Sequence, residues 1–418
     1  MRKPTQPEVM YTDADGFFAS CEQFRHPHLR NRPVGIVPMI SGSSCVIAVS
    51  REAKALGVKN VMPIGEARTV CPDLVEWPQH PDLYRRAHNE MLSEISMVVP
   101  IDTVKSIDEL CCVLGADQRA DPQAVGLAIK NRITTVFGPW INMSMGFAPN
   151  RLLAKMACKA GKPAGNLVWT PHNLYQHLMA QDLSDIPGVG GRMLDRLEKA
   201  GIHSIERLLD CSPGHMAALW GSVAGRRMHF ALHGYDIHAE PSQRGQFGHS
   251  RMLPPSHRTM PSVRPLSRLL MTKAARRMRR EQFRTSRVYL GITVYTRDGR
   301  RGWGQHRDVP QVCDYTAILA ALGELWKIAM ADVNPRLALE SVNVCLGEIS
   351  PMNQRQLDMW EDDEGQRLRE ESLSDAIDAM NQRYCSTVVY PGLRDDEASD
   401  NIGMKISYGR IPRIEDRF

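Results

Sequence analysis

The stretch YTDADGFFASCE, Tyr11 to Glu22, constrains this chain more than any other. Val9 to Ala14 reads as a short strand and Phe17 to Arg25 as a helix. Asp13 and Asp15 therefore fall at a strand end that Phe17 and Phe18 close off. Acids placed there are costly unless a cation answers them, and a repulsive pair two residues apart is best tolerated around a divalent metal. The arrangement returns in SIDEL, where Asp108 and Glu109 are adjacent at a predicted strand turn. Carboxylates on neighbouring strands make a hard-oxygen cage suited to two Mg²⁺, which clamp the attacking and leaving oxygens of a phosphoryl transfer. Taken alone, a DAD tripeptide is more often an exposed turn.

The elements around these acids alternate without a strict βαβ repeat. RPVGIVP and SSCVIAVS read as strands, and REAKALGV as a helix ending at Gly57. PDLYRRAHNEMLSEISMVV is a helix with Leu83, Ala87, Met91 and Ile95 on one face. TVKSIDELCCVLG is a strand, turn, strand pair, PQAVGLAIKNRITTVFG a helix, INMSMGFAP a strand and NRLLAKMACKAGKP a helix. This pattern suits an α+β core with an antiparallel-rich sheet. Helical, glycine-punctuated sequence runs from Pro171 to about Gly234, followed by a linker-like stretch around Pro241. Residues 246–350 then read as β-α-β-β-α-β, a split ferredoxin-like unit. From Pro351 the chain reads as loose at first and helical at LSDAIDAMNQRY.

With 418 residues, several domains are expected. No apolar run reaches membrane-spanning length, and the N-terminus has no apolar signal-peptide core, so a cytoplasmic protein with no membrane partner is expected. The ten cysteines are scattered without a CxxC, which argues against a zinc site and for thiols packed as small hydrophobes. Charge is unevenly spread. Arg264 to Arg307 carries 13 Lys and Arg against 2 acids, whereas Pro351 to Phe418 carries 9 against 15. The basic block points to a polyanion and the acidic tail to a different partner, although a solvated helix face would produce the same count.

TDADGFFASCE, VSREAKALGVKNVMP, SIDE, SMGFAPNRLLAKMACKAGKPAG and IPGVGGRMLDRL occur in the order found in Y-family translesion DNA polymerases, and the chain resembles that family over about residues 9 to 350. ASCE and EAKALGVK look like the UmuC type, with similarity also to the DinB type. The resemblance implies a multidomain right-hand polymerase of α+β class. Its ferredoxin-like palm would be residues 1–22 and 80–170, the small fingers 23–79, a helix-hairpin-helix thumb 171–240, and a βαββαβ little finger 246–350. An acidic tail, 351–418, would follow.

Carried over by position, the metal ligands would be Asp13, Asp108, Glu109 and the backbone carbonyl of Ala14. They would hold two Mg²⁺, with Mn²⁺ as an alternative. Asp15 would be a supporting carboxylate. Phe18 would be the steric gate that leaves no room for a ribose 2′-hydroxyl, with Phe17 beside it in the nucleotide pocket or the core. Arg51, Lys54 and Lys162 would neutralise the triphosphate, which carries more charge than two metals answer. SIDE is followed by Leu110, Cys111, Cys112 and Val113, a departure from the family that touches local packing. Small residues in the fingers (Ser43, Ser44, Ala48, Ser50) fit an open, poorly discriminating pocket.

In the thumb, Gly188 and Gly190 of IPGVGGR would let backbone N–H groups approach a duplex phosphate. Little-finger arginines, among them Arg276, Arg280, Arg284 and Arg287, would track the phosphates of primer-template DNA. In the tail, QLDMW resembles a sliding-clamp pentapeptide, with Gln356, Leu357, Met359 and Trp360 as anchors. UmuC-type relatives also act with a UmuD-like dimer and RecA. The resulting expectation is a low-fidelity polymerase that adds deoxynucleoside triphosphates across damaged template by two-metal phosphoryl transfer. The alternatives are a catalytically inactive polymerase-like adaptor and a metal nuclease.

Overall fold

The computed structural model describes residues 1–38, 40, 45–237, 244–296, 299–354, 364–384 and 386–392. It divides near residue 240 into two compact units.

The first unit holds eight strands: β1 (Val9–Ala14), β2 (Val34–Val37), β3 (Ala48–Val49), β4 (Val75–Pro78), β5 (Ile101–Val104), β6 (Glu109–Val113), β7 (Met143–Ala148) and β8 (Asn166–Val168). Five form one sheet in the order β5-β6-β1-β7-β8, with β1 antiparallel to both neighbours. The register sets Asp13 opposite Glu109 on one side and Ser144 on the other. β1 thus delivers Asp13 to the sheet centre beside the β5–β6 turn. Helices Pro81–Ser96 and Pro122–Phe137 bury Tyr84, Met91, Ile95, Ile129 and Ile133 in a core that also contains Met10, Phe17 and Met145. Leu110, Cys111 and Cys112 of β6 are buried, and burial raises the thiols of Cys111 to about 11 and Cys112 to about 12. Both therefore pack as apolar groups.

Two glycines make this arrangement possible. Gly16 turns the chain from β1 into the Phe17–Arg25 helix at φ +56, and a Cβ there would lie 2.9 Å from the Val49 carbonyl. Gly146 lets the Arg151–Ala160 helix rest directly on β7, since a Cβ would stand 2.1 Å from the Cys158 nitrogen and 2.2 Å from the Ala154 oxygen. Gly146→Ala is expected to push the helix off the sheet at a cost of about 1–3 kcal/mol or more, read as an earlier urea transition by circular dichroism.

β2, β3 and β4 form a separate small sheet in which β2 runs antiparallel to β3 and parallel to β4. After β8 come short helices that share a core around Trp169, Leu197, Ile205, Leu208 and Met216.

The second unit follows the expected order: β9 (Phe247–Met252), helix Met260–Arg280, β10 (Phe283–Thr296), β11 (Gly299–Val312), helix Tyr315–Asp332 and β12 (Leu339–Pro351). Its sheet runs β11-β10-β12-β9. Val288, Leu290, Ile292 and Val294 alternate along β10 and are buried with both helices in one core. Above this core lies a helix, Glu364–Arg383, within the stretch read as the acidic tail and around its expected helical segment. Asp378 bonds Arg279 at 2.7 and 2.9 Å, Arg276 at 3.4 Å and the Tyr315 hydroxyl at 2.5 Å. Glu371 pairs with Arg284, and the Ser374 hydroxyl caps the Tyr315 amide at 3.0 Å. The basic block attracts acids of its own chain, and Arg279, only 3% exposed, is satisfied entirely within the protein.

Candidate active site at the end of the first strand

Strand β1 and the β5–β6 turn are tied by the Ala14 amide, which donates to the Asp108 carbonyl at 2.9 Å. This brings Asp13, Asp108 and Glu109 to one place, each held differently. Lys162 reaches Asp13 at 2.5 Å. Burial raises the Asp13 carboxyl to about 7, against the pull of Lys162 and with the push of Asp108. Burial also raises Asp108, offset in part by the Ser106 hydroxyl that donates to it at 2.5 Å. Glu109 goes the other way: burial would raise it, but the hydrogen bonds from Lys155 and Tyr11 lower it.

Asp15 does not share this cluster's role. Its carboxylate is buried and accepts from the Ser144 hydroxyl at 2.8 and 2.9 Å and from the Ala164 amide at 2.7 Å. It anchors the Lys162–Ala164 loop to the sheet and so sets where Lys162 starts.

Phe18 is 8% exposed and lies flat on Tyr84, ring centres 4.4 Å apart and planes within 9°. The Tyr84 hydroxyl donates to buried Glu22 at 2.6 Å, and the Trp77 indole donates to the same carboxylate at 2.9 Å. Phe18 therefore cannot swing back without breaking a satisfied buried network. Phe17 is buried in the core and also borders the cleft.

A cleft of about 790 Å³ joins Asp13, Asp15, Asp108 and Phe18, and Glu109 is not among its lining residues. Asp13, Ala14, Phe17, Phe18, Ala48, Arg51, Lys54, Asp108 and Lys162 all line it, as does Lys59, which motif reading missed. Ser50 lies elsewhere: its buried hydroxyl caps the Arg51–Ala55 helix and accepts the Val34 amide at 3.0 Å, so its small size serves a helix start and not an open pocket. Ser43 and Ser44 lie outside the described residues.

All the carboxylates supply hard oxygen atoms, as a divalent ion requires. Among the described residues, however, no three His, Cys, Asp or Glu side chains are gathered closely enough to hold an ion as they stand. Lys162 and Lys155 occupy two of the three acids. Lys155 and Tyr11 were missed in the sequence. Lys155 looks like any helix lysine, but Tyr11 carries a usable signal, since it lies two residues before Asp13 and strand alternation puts both on one face.

Beyond the cleft, Gly188 (φ +93) and Gly190 precede the Gly191–Lys199 helix with open space where their Cβ atoms would be. In the second unit, Arg276 pairs with Asp378 and Arg284 with Glu371. Arg280 is half-buried at its helix end. Arg287 pairs with exposed Asp308 and Glu348, and with Arg277, Tyr289 and Asn343 it lines a second cleft of about 740 Å³. Gln356, Leu357, Met359 and Trp360 lie outside the described residues.

Residues 12–159 match the model of the impB/mucB/samB family, and residues 244–359 match its C-terminal domain. DNA polymerase IV of Moorella thermoacetica is 30% identical over 399 residues, 91% of this chain and 94% of the relative. DNA polymerase IV of Neisseria gonorrhoeae is 27% identical over 364 residues, 84% of this chain and 99% of the relative. Among solved structures, a Y-family DNA polymerase chimera of Dbh and Dpo4 superposes with a TM-score of 0.67 at 22% identity, covering 82% of this chain and 98% of the chimera. The insertion ternary complex of Dbh DNA polymerase gives 0.53, covering 81% and 98%.

Proposed function

The chain belongs to the Y-family of DNA polymerases, the impB/mucB/samB family, and we infer that the cleft at the end of β1 is where it joins a deoxynucleotide to a primer end. It is a translesion DNA polymerase, acting on primer-template DNA and deoxynucleoside triphosphates, and its family depends on divalent metal. One observation supports the assignment of the chemistry to this cleft: Asp13 and Asp108 share it with four cations (Arg51, Lys54, Lys59 and Lys162) and with Phe18. Carboxylates and cations converging on one pocket favour metal-assisted phosphoryl transfer over an adaptor surface, and an aromatic wall beside them favours nucleotide selection over strand cleavage.

We propose that Asp13, Asp108, Glu109 and the Ala14 carbonyl hold two Mg²⁺. When bound, the ions supply the positive charge that stabilises the attacking and leaving oxygens. The chain's own residues do the rest. Lys162, reaching out from a loop that Asp15 pins, exchanges Asp13 for the triphosphate, and Arg51, Lys54 and Lys59 neutralise the remaining charge. Phe18, backed by Tyr84, lies against the sugar and excludes a 2′-hydroxyl. Gly188 and Gly190 approach the duplex backbone, and Arg277 and Arg287 face phosphates from the second unit. A clamp contact through Gln356, Leu357, Met359 and Trp360, a UmuD-like dimer, RecA and a cytoplasmic location complete the proposal. Among the described residues no helix is long and apolar enough to cross a membrane.

Phe18→Ala tests the pocket. Discrimination against a ribonucleotide, measured as the ratio of incorporation efficiencies for matched ribo- and deoxynucleotides, is expected to fall about tenfold to a hundredfold. An unchanged ratio places the gate on another residue.

A further inference from the structure

Glu109 is gripped by a pair of residues that no part of the proposed reaction uses. The Lys155 ammonium stands 2.9 Å from each Glu109 oxygen and donates to the Tyr11 hydroxyl at 3.1 Å. These three contacts use all three of its N–H donors. Tyr11 in turn donates to Glu109 Oε2 at 2.8 Å, and the Lys155 ammonium lies 5.0 Å from the centre of the Tyr11 ring. The Arg151–Ala160 helix carries Lys155 across β7 and β1, and β1 carries Tyr11 on the face of Asp13. Both elements are fixed by the fold. Lys155 therefore lies over both oxygens of one proposed metal ligand, as Lys162 lies over another.

We propose that Lys155 is an internal cation that takes the place of a divalent ion on Glu109 until the ion arrives, and that Tyr11 is the positioning residue that keeps Glu109 aimed once it has. This rests on the reading of Asp13, Asp108 and Glu109 as metal ligands. Carboxylates this near one another repel, and a lysine on each of two offsets that repulsion without an ion. An ion that takes Glu109 must draw Lys155 off at least one oxygen. The Tyr11 hydroxyl need not leave, because it uses only Oε2. The two residues therefore act in opposite directions. Deleting the lysine charge removes a competitor. Deleting the hydroxyl frees the carboxylate to turn, and outer partners of this kind set metal affinity by about 10- to 100-fold.

The test is Mn²⁺ binding to the DNA-free full chain, followed by electron paramagnetic resonance, for the parent and four variants. Lys155→Met is expected to bind Mn²⁺ more tightly by about threefold to tenfold. Tyr11→Phe is expected to bind more weakly by about tenfold. Lys155→Arg, which keeps the charge, is expected to stay near the parent. Mg²⁺ should also raise the melting temperature of Lys155→Met more than that of the parent. Equal affinities, or weaker binding in both Lys155→Met and Tyr11→Phe, overturn the proposal, because packing alone gives those results. Asp108→Asn separates the two levels. If it binds Mn²⁺ as the parent does, the carboxylates are not the ion's ligands and both readings fall. If it binds far more weakly while Lys155→Met equals the parent, only the lysine's role falls.

Discussion

Asp108→Ala will stop nucleotide addition while leaving primer-template binding close to that of the parent. Asp108 is half-buried at the turn beside β1, lines the cleft, and accepts from the Ser106 hydroxyl. Burial disfavours its ionised form, so alanine removes no stabilising charge that the fold depends on. What alanine removes is one ligand of the proposed metal pair. Loss of that clamp takes away several kcal/mol of transition-state stabilisation, about a thousandfold or more in rate. Single-turnover incorporation with DNA saturating, alongside a DNA titration, separates the two effects. A rate near the parent's contradicts the metal assignment, and a parallel loss of DNA affinity means that the variant is misfolded.

Asp378→Ala will destabilise the second unit by about 3–5 kcal/mol. Arg279 is enclosed by Asp378, by the Cys313 carbonyl at 2.5 Å and by the Tyr315 ring, whose centre is 4.0 Å away. Without Asp378 a desolvated guanidinium loses its two short charged bonds, and the Tyr315 hydroxyl loses its acceptor. Asp375, 3.9 Å from Arg279 and 71% exposed, is the internal control. Asp375→Ala should cost less than about 1 kcal/mol, as for other solvent-screened pairs. Urea unfolding of the full chain, followed by near-ultraviolet circular dichroism, reads both. Equal, small effects for the two variants would mean that the Glu364–Arg383 helix is not part of the fold, and that the second unit ends near residue 350.

The residues that line the cleft were legible because they sit in short, local stretches. Asp13, Phe18, Asp108 and Lys162 each fall in a segment whose neighbours force a strand end, a helix start or a tight turn. The β-α-β-β-α-β order of the second unit was legible for a similar reason: the two-residue alternation of Val288 to Val294 and the apolar stripe from Leu266 to Met278 state their own periods. What could not be read was anything set by contact between distant segments. Lys155 meets Glu109 across 46 positions. A basic block and an acidic tail are visible in the composition, but the count cannot say that Arg279 and Asp378 answer each other and not two outside partners. Ser50 misled for the opposite reason: its size was apparent, and the use of its hydroxyl as a helix cap was not.

This cleft should extend a primer across template damage. A labelled primer annealed to a template with a single abasic site, given Mg²⁺ and all four deoxynucleoside triphosphates, tests it most directly. Products longer than the primer that continue past the lesion are expected, and none with Asp108→Ala. A primer that stays its original length, or one that shortens, would contradict it.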